Sequence, residues 1–460
     1  MKLRKQLFAE KTFVEQESLL TELQKKDDFR TIQNMVVAMV TILTFYIITE
    51  EFYETGNIID FGIITFALAK QDIVLQTWLV LTALGFSVVP LIQVIHRFNL
   101  SRCCYIPTAA LAHFALYFVA VFATFYNELP PASSIIVSCE CVRISMKFHA
   151  YFRDKLLFGR PNNQGALAYA EFIPERARLA GATVEDLRLP QITIEGLWSE
   201  LWRFGYFFVC PSLVYRDRFL RSRHIRMGYV LNNLVGMLFS VFLTFVVLRV
   251  LSMPKFKDFQ DQKQLTLRLF LGNTFLQSVS GTLILMMGFF GILHSWLSLM
   301  AELTRYADRR FYEDWWNVEG FQDYYRKWNI VVHEFLYYYV YKDTMRFSRG
   351  RCRSGSATYV VFLVSVIFHE VVATCMQGFF FPILAFLFGC PGVLFTKMKR
   401  SYGEFNLAFW IFLMLGNGIL MVLISTEWYA RHSPAYTITL AKDGLLAVLR
   451  PASLGPPSSP

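Results

Sequence analysis

The run Val360-Val361-Phe362-Leu363-Val364-Ser365-Val366-Ile367-Phe368-His369-Glu370 carries an ionisable imidazole at the end of a nearly unbroken apolar stretch, and a second apolar run, Val371 to Phe388, follows it directly. Placing an ionisable group in a bilayer costs at least a few kcal/mol, so such a residue must face a cavity or a partner. A neutral imidazole in that setting has a nitrogen lone pair that can take a proton from an alcohol, the work of a general base. Ser365 lies four residues earlier and shares the His369 face of a helix. The competing reading is a structural histidine bonded to a neighbouring helix.

A second constellation runs through Phe311-Tyr312-Glu313-Asp314-Trp315-Trp316-Asn317 and then Trp328-Asn329-Ile330-Val331-Val332-His333-Glu334. Asn329, His333, Tyr337 and Tyr341 recur every four residues, which on a helix makes one polar-aromatic stripe. Asn and His donors on one face could hold a carbonyl oxygen as negative charge develops on it. An aromatic belt at a membrane interface is the alternative. For Phe311–Asn317 a structural role is favoured, because Asp and Asn beside paired Trp can fix a loop. Basic clusters flank both segments: Arg305, Arg309, Arg310, Arg326 and Lys327, then Arg346, Arg349, Arg351 and Arg353. They mark the cytosolic side, and they could also capture phosphates at the mouth of a greasy tunnel.

Other chemistry has no sequence support. There is no GxSxG elbow, no phosphate-cradling glycine loop and no histidine pair at metal-ligand spacing. His96, His113, His149, His224 and His432 read as structural or interfacial, and His294 is set apart by the long apolar segment that holds it. Eight cysteines are scattered without metal-site spacing and read as free thiols.

These residues need a membrane scaffold to position them. The 460 residues are 55% hydrophobic and 17% charged, where soluble domains carry about 25% charged residues. The net charge of +10 fits basic cytosolic loops and gives no reason to expect a nucleic-acid partner. Apolar runs predict membrane segments at 32–48, 58–69 (short, re-entrant), 77–95, 106–125, 227–251, 269–299, 357–388 and 405–428. Ser133–Phe148, with Glu140, Arg143 and Lys147, is too polar for lipid and reads as interfacial or buried in the bundle. Tyr324–Tyr341 reads as a helix lining a cavity. The expected fold class is therefore all-α, a polytopic membrane protein of about nine helices enclosing a chamber. Residues 1–31 read as a cytosolic amphipathic segment with Phe8, Phe13, Leu19, Leu20 and Leu23 on its apolar side, since no uninterrupted signal-peptide core is present. Residues 32–432 form the membrane domain, and 433–460 read as a tail disordered in part.

Taken together, the motifs resemble the membrane-bound O-acyltransferase superfamily and, within it, the sterol O-acyltransferases. The family's FYxDWWN motif stands as Phe311, Tyr312, Glu313, Asp314, Trp315, Trp316 and Asn317. Its essential Asn stands as Asn329 and its membrane His as His369. The sterol branch is suggested by Ser18-Leu19-Leu20, Leu129–Ser133, Tyr215-Arg216-Asp217, Leu336–Asp343, Leu415-Gly416-Asn417-Gly418 and Glu427–Arg431. The resemblance covers residues from about Phe13 to His432. It implies direct acyl transfer from a long-chain acyl-CoA to the 3-hydroxyl of a sterol, with His369 as the base and Asn329 orienting or polarising the reacting groups. It also implies that Arg326, His333, Tyr341 and Ser365 line the acyl-CoA tunnel and that Arg353 contacts the nucleotide. No cofactor or metal is implied, acyl-CoA being a co-substrate. The endoplasmic reticulum membrane is the implied location and a homodimer the implied assembly. Vertebrate members build tetramers with a longer N-terminal region, whereas about 30 residues precede the first span here. No Cys follows Cys390, so the lumenal C-terminal disulfide of those members has no counterpart. Diacylglycerol or fatty-alcohol acylation is the sister reading, because it shares the same two motifs. A sterol-binding transporter or sensor is the non-enzymatic one.

Overall fold

A computed structural model describes residues 11, 13–56, 62–98, 100–158, 194–256, 265–348, 354–389, 405–432 and 451–454. The described chain is helical, with two isolated backbone bridges. In order, the helices are α1 (Leu19–Leu23), α2 (Asp27–Thr55), α3 (Gly62–Ala67), α4 (Gln71–Phe86), α5 (Val88–Arg97), α6 (Arg102–Tyr126), α7 (Pro131–Phe158) and α8 (Ile194–Val209). There follow α9 (Met227–Val247), α10 (Leu267–Gly288), α11 (Leu297–Leu303), α12 (Phe321–Lys327), α13 (Ile330–Phe335), α14 (Lys342–Phe347), α15 (Ser354–Gln377) and α16 (Phe405–Arg431). Seven helical runs among the described residues are long and apolar enough to cross a membrane: 27–50, 64–97, 103–126, 227–256, 267–303, 355–377 and 406–431. The protein is therefore an all-α polytopic membrane protein, as its composition requires.

The boundaries depart from the expected runs where backbone chemistry intervenes. The long run expected over 357–388 ends at Gln377, because Gly378 adopts φ 77°, a left-handed conformation that closes the helix. Pro382 follows, and a π-helical turn covers Ala385–Gly389. The short segment expected at 58–69 contains α3, and left-handed Lys70 (φ 62°) separates it from α4. The polar helix Ser133–Phe148 lies inside α7, within the bundle. Lys147 is buried and donates to the carbonyls of Phe207, Cys210 and Ser212, while Glu140 pairs with Arg143 at 2.8 Å and accepts from Trp78 Nε1 at 3.0 Å. Every buried charge on this helix has partners, as burial in a low dielectric demands.

α10 and α16 pack directly on each other. A Cβ on Gly418 would stand 2.3 Å from Ser278 Oγ and 2.4 Å from the Thr274 carbonyl oxygen. Gly418 of Leu415-Gly416-Asn417-Gly418 is thus a close-approach point, a common means by which membrane helices gain contact without a hydrophobic driving force.

Described residues near each end of the chain have partners in the bundle. Residues 13–18 precede the short helix α1, which holds Leu19, Leu20 and Leu23, and dock on protein, where one amphipathic surface helix was expected. Gln16 N–H donates to the Ala307 carbonyl and Arg309 N–H to the Gln16 carbonyl, both at 3.0 Å. Lys11 bonds Glu334 at 2.6 Å and Asp308 at 3.2 Å, and Phe13 packs edge-on against Phe219 and Tyr306. These long-range partners satisfy the backbone and charges that a membrane-surface helix would have left to solvent and headgroups. Phe8 lies outside the described residues. In the tail, Ala452–Leu454 forms a 3₁₀ turn whose Ser453 Oγ and N–H, with the Ala452 N–H, donate to the buried Glu427 carboxylate at 2.8–3.0 Å.

Candidate active site

His369 sits on α15, and its Nδ1 lies 2.7 Å from the carbonyl oxygen of Ser365. A carbonyl oxygen can only accept, so Nδ1 carries the proton and Nε2 keeps the lone pair. Ser365, expected to share the His369 face, supplies that carbonyl. The imidazole is exposed on the surface of the chain, whereas a buried one was expected. The side chain projects from the helix wall and is not packed into it.

The neighbours of His369 fix the orientation of α15. Phe368 stacks on Tyr117 of α6 at 6.4 Å. The Glu370 Oε1 accepts from the Ala385 N–H at 2.6 Å, tying the chain beyond the span back onto the helix. Phe362 lies about two turns before His369 on the same helix face. Its ring meets Tyr325 of α12 edge-on at 5.5 Å. α15 also packs against the π-helical turn Leu336–Tyr341. These contacts bring α15 against the 321–341 hairpin, which carries the second constellation.

Within that hairpin the expected stripe forms with one change. The rings of His333 and Tyr337 lie parallel at 6.5 Å, and those of Tyr337 and Tyr341 at 5.6 Å. Asn329 is not on the helix but caps it: its backbone is extended (φ −141°) and its Oδ1 accepts from the Val332 N–H at 3.2 Å. This leaves the Nδ2 amide to donate elsewhere. The α-helix gives way to a π-turn at Leu336, a conformation often found at functional sites. Arg326, in the last turn of α12, is 60% exposed and pairs with Asp323 at 3.0 Å, an exposed geometry that holds the guanidinium weakly. Arg353 lies outside the described residues, as do Arg349 and Arg351.

The Phe311–Asn317 motif is scaffold. Phe311, Tyr312 and Trp315 are each 1% exposed, and the Trp315 ring is ringed by Phe289, Trp328, Tyr324 and Trp410. The Phe311 carbonyl accepts from Ile330 N–H and the Lys327 carbonyl from Glu313 N–H, both at 2.9 Å. Asp314 pairs with Lys327 at 2.8 Å. The Trp316 carbonyl accepts from Asn406 Nδ2 and Trp410 Nε1, and Asn317 closes a turn on Asp314. The motif thus clamps both ends of the segment that presents Asn329.

Two further groups stand out, His294, which its apolar segment had set apart, and an ionic cluster that the sequence did not mark. His294 in the α10–α11 span is buried, and its Nδ1 lies 2.7 Å from the Tyr312 hydroxyl and 3.4 Å from Ser18 Oγ. Leu20 N–H donates to the same hydroxyl at 3.4 Å, and burial pushes the Tyr312 phenol above its ordinary value. The place of His294 in an apolar run was the available signal. The other group is ionic: Glu302, fully buried, receives Arg309 at 2.6 Å and Arg226 at 2.8 Å, and Glu17 joins both arginines. Arg309 and Lys327, anticipated as phosphate-facing, are therefore engaged in structural pairs. Arg346 likewise pairs with Asp343 at 2.9 Å, and Asp343 also receives Arg153 at 2.7 Å. No group of three His, Cys, Asp or Glu among the described residues could hold a metal ion.

The membrane-bound O-acyltransferase family model matches residues 131–426, a span that holds His369, Asn329 and the aromatic motif. The chain is 30% identical to sterol O-acyltransferase 1 of Chlorocebus aethiops over 457 residues, covering 96% of this chain and 77% of that protein. It is 32% identical to sterol O-acyltransferase 2 of Homo sapiens over 434 residues, covering 92% and 77%. Sterol O-acyltransferase 1 of Mus musculus is 30% identical, with 92% and 76% covered.

Proposed function

Given that the chain belongs to the membrane-bound O-acyltransferase family, we propose that it esterifies the 3-hydroxyl of a sterol with a long-chain acyl group from acyl-CoA. His369 is the base. Its Nε2 takes the hydroxyl proton, and the sterol oxygen forms a bond to the thioester carbonyl carbon. The carbon–sulfur bond then breaks, and coenzyme A leaves as a thiol with the proton returned by the imidazolium. Asn329 Nδ2 donates to the carbonyl oxygen as it gains charge. The observation that supports this assignment above all is the His369 Nδ1 bond to the Ser365 carbonyl, which selects the tautomer with Nε2 open. By the same reading Arg326, His333, Tyr341 and Ser365 line the acyl-CoA path, and Arg353, outside the described residues, contacts the nucleotide. The choice of a sterol rests on the names of the relatives. The endoplasmic reticulum is the proposed membrane and a homodimer the proposed assembly.

Microsomes holding the chain are supplied with radiolabelled oleoyl-CoA and cholesterol. Steryl ester is expected from the parent and none above background from His369→Ala. Steryl ester at the parental rate in that variant would overturn the general-base assignment. Offering diacylglycerol in competition tests the acceptor: triacylglycerol without steryl ester would replace the sterol reading with its sister activity.

A further inference from the structure

Cys103 and Cys104 open α6, and Cys103 is the first residue of the membrane-spanning run 103–126. Both thiols are exposed, whereas Cys141, Cys210 and Cys375 are buried. Cys103 falls on one helical stripe with Ile106, Phe114, Phe118, Val121 and Phe125, all of them exposed, Phe114 to 65%. Cys104 lies beside this stripe on the face that continues through Leu111 and Phe122, which are exposed too. An apolar stripe that the protein leaves uncovered along a spanning helix is solvated by lipid. The two thiols stand where that stripe meets the membrane surface.

The pair lies on the cytosolic side. Tyr105 meets Phe152 at 6.2 Å, so the start of α6 lies beside the end of α7. The next residue, Arg153, pairs with Asp343 among the basic loops, which the positive-inside rule places in the cytosol. Ser101 Oγ lies 3.6 Å from Cys104 Sγ as a donor.

We propose that Cys103 and Cys104 form an S-acylation site that takes long-chain fatty acyl groups as thioesters. The thiol sulfur forms a bond to the carbonyl carbon of an acyl-CoA, the carbon–sulfur bond to coenzyme A breaks, and coenzyme A leaves as a thiol with the proton. No oxidant or reductant is needed. The attached chain lies along the Ile106–Phe125 stripe in the cytosolic leaflet and pins the first turn of α6 to the membrane surface. Vicinal thiols at the cytosolic edge of a span are typical targets of this modification.

The test uses full-length protein in cell membranes. Free thiols are blocked with N-ethylmaleimide, thioesters are cleaved with hydroxylamine, and the released thiols are coupled to a maleimide-polyethylene glycol mass tag. The parent is expected to shift by one or two tags in a hydroxylamine-dependent way. Cys103→Ser/Cys104→Ser is expected to lose the shift, and Cys139→Ser, whose exposed thiol lies on α7, to keep it. Mass spectrometry of the parental peptide containing both cysteines gives the same answer without a variant, through a mass gain of one or two fatty acyl groups. A parent without hydroxylamine-dependent tags, an unmodified peptide, or a shift that survives the double substitution would overturn the site.

Discussion

Asn329 caps α13 through the bond from Val332 N–H to its Oδ1, at 3.2 Å. One side chain therefore has two separable duties: Oδ1 holds the helix start, and Nδ2 is the group that can polarise a substrate carbonyl. Asn329→Asp keeps a capping oxygen and removes the amide donor. It should retain the parental melting temperature in detergent while turnover falls about 10²-fold or more, the cost of losing one preorganised donor. Asn329→Ala should lose the same activity and also about 1 kcal/mol of stability. Parental turnover in Asn329→Asp would remove Nδ2 from the mechanism.

Glu370 tests how far the orientation of His369 depends on the chain beyond the span. Its Oε1 accepts from Ala385 N–H, and its Oε2 is buried without a hydrogen-bond partner among the described residues. Glu370→Gln preserves an acceptor and should work near the parental rate. Glu370→Ala leaves a buried amide unpaired, a cost of about 1–3 kcal/mol, and should lower kcat while the KM for acyl-CoA holds. Steady-state kinetics of the two variants in microsomes decide the matter, and equal losses in both would count against positioning through this bond.

The Glu302 cluster should be the most sensitive ionic site in the molecule. Its carboxylate is fully buried between Arg226 and Arg309. Glu302→Ala leaves two cations facing each other, and breaking a buried pair in this way costs about 3–5 kcal/mol. Poor expression and a large drop in melting temperature are expected. A variant as stable as the parent would show that the N-terminal Glu17 alone can balance both arginines.

Gly418 tests the α10–α16 contact. Gly418→Ala places a methyl 2.3 Å from Ser278 Oγ and 2.4 Å from the Thr274 carbonyl oxygen, so the helices must part. A loss of about 1–3 kcal/mol is expected for such overpacking. Adding Ser278→Ala should not restore it, because the Thr274 carbonyl belongs to the backbone. Full thermal recovery in that double variant, read by fluorescence-detected size exclusion, would refute the contact.

What the sequence by itself determined was whatever local composition dictates. Apolar runs of membrane length define spans regardless of neighbours, which is why seven of the expected segments reappear in long helices. An ionisable residue inside such a run, as His369 is, announces an interior partner or a site for the same reason. The four-residue spacing of His333, Tyr337 and Tyr341 likewise survives as a stack of rings. Tertiary structure alone decided what depends on distant partners. Lys11 reaches Glu334, His294 bonds Tyr312, and Glu427 receives Ser453. Such pairs leave no periodic mark, since each residue taken alone looks like an ordinary surface charge or an isolated histidine. The Asn329 cap and the break at Gly378 stand between these cases. Asn and Gly are common at helix ends, yet whether either one ends a helix depends on the packing around it.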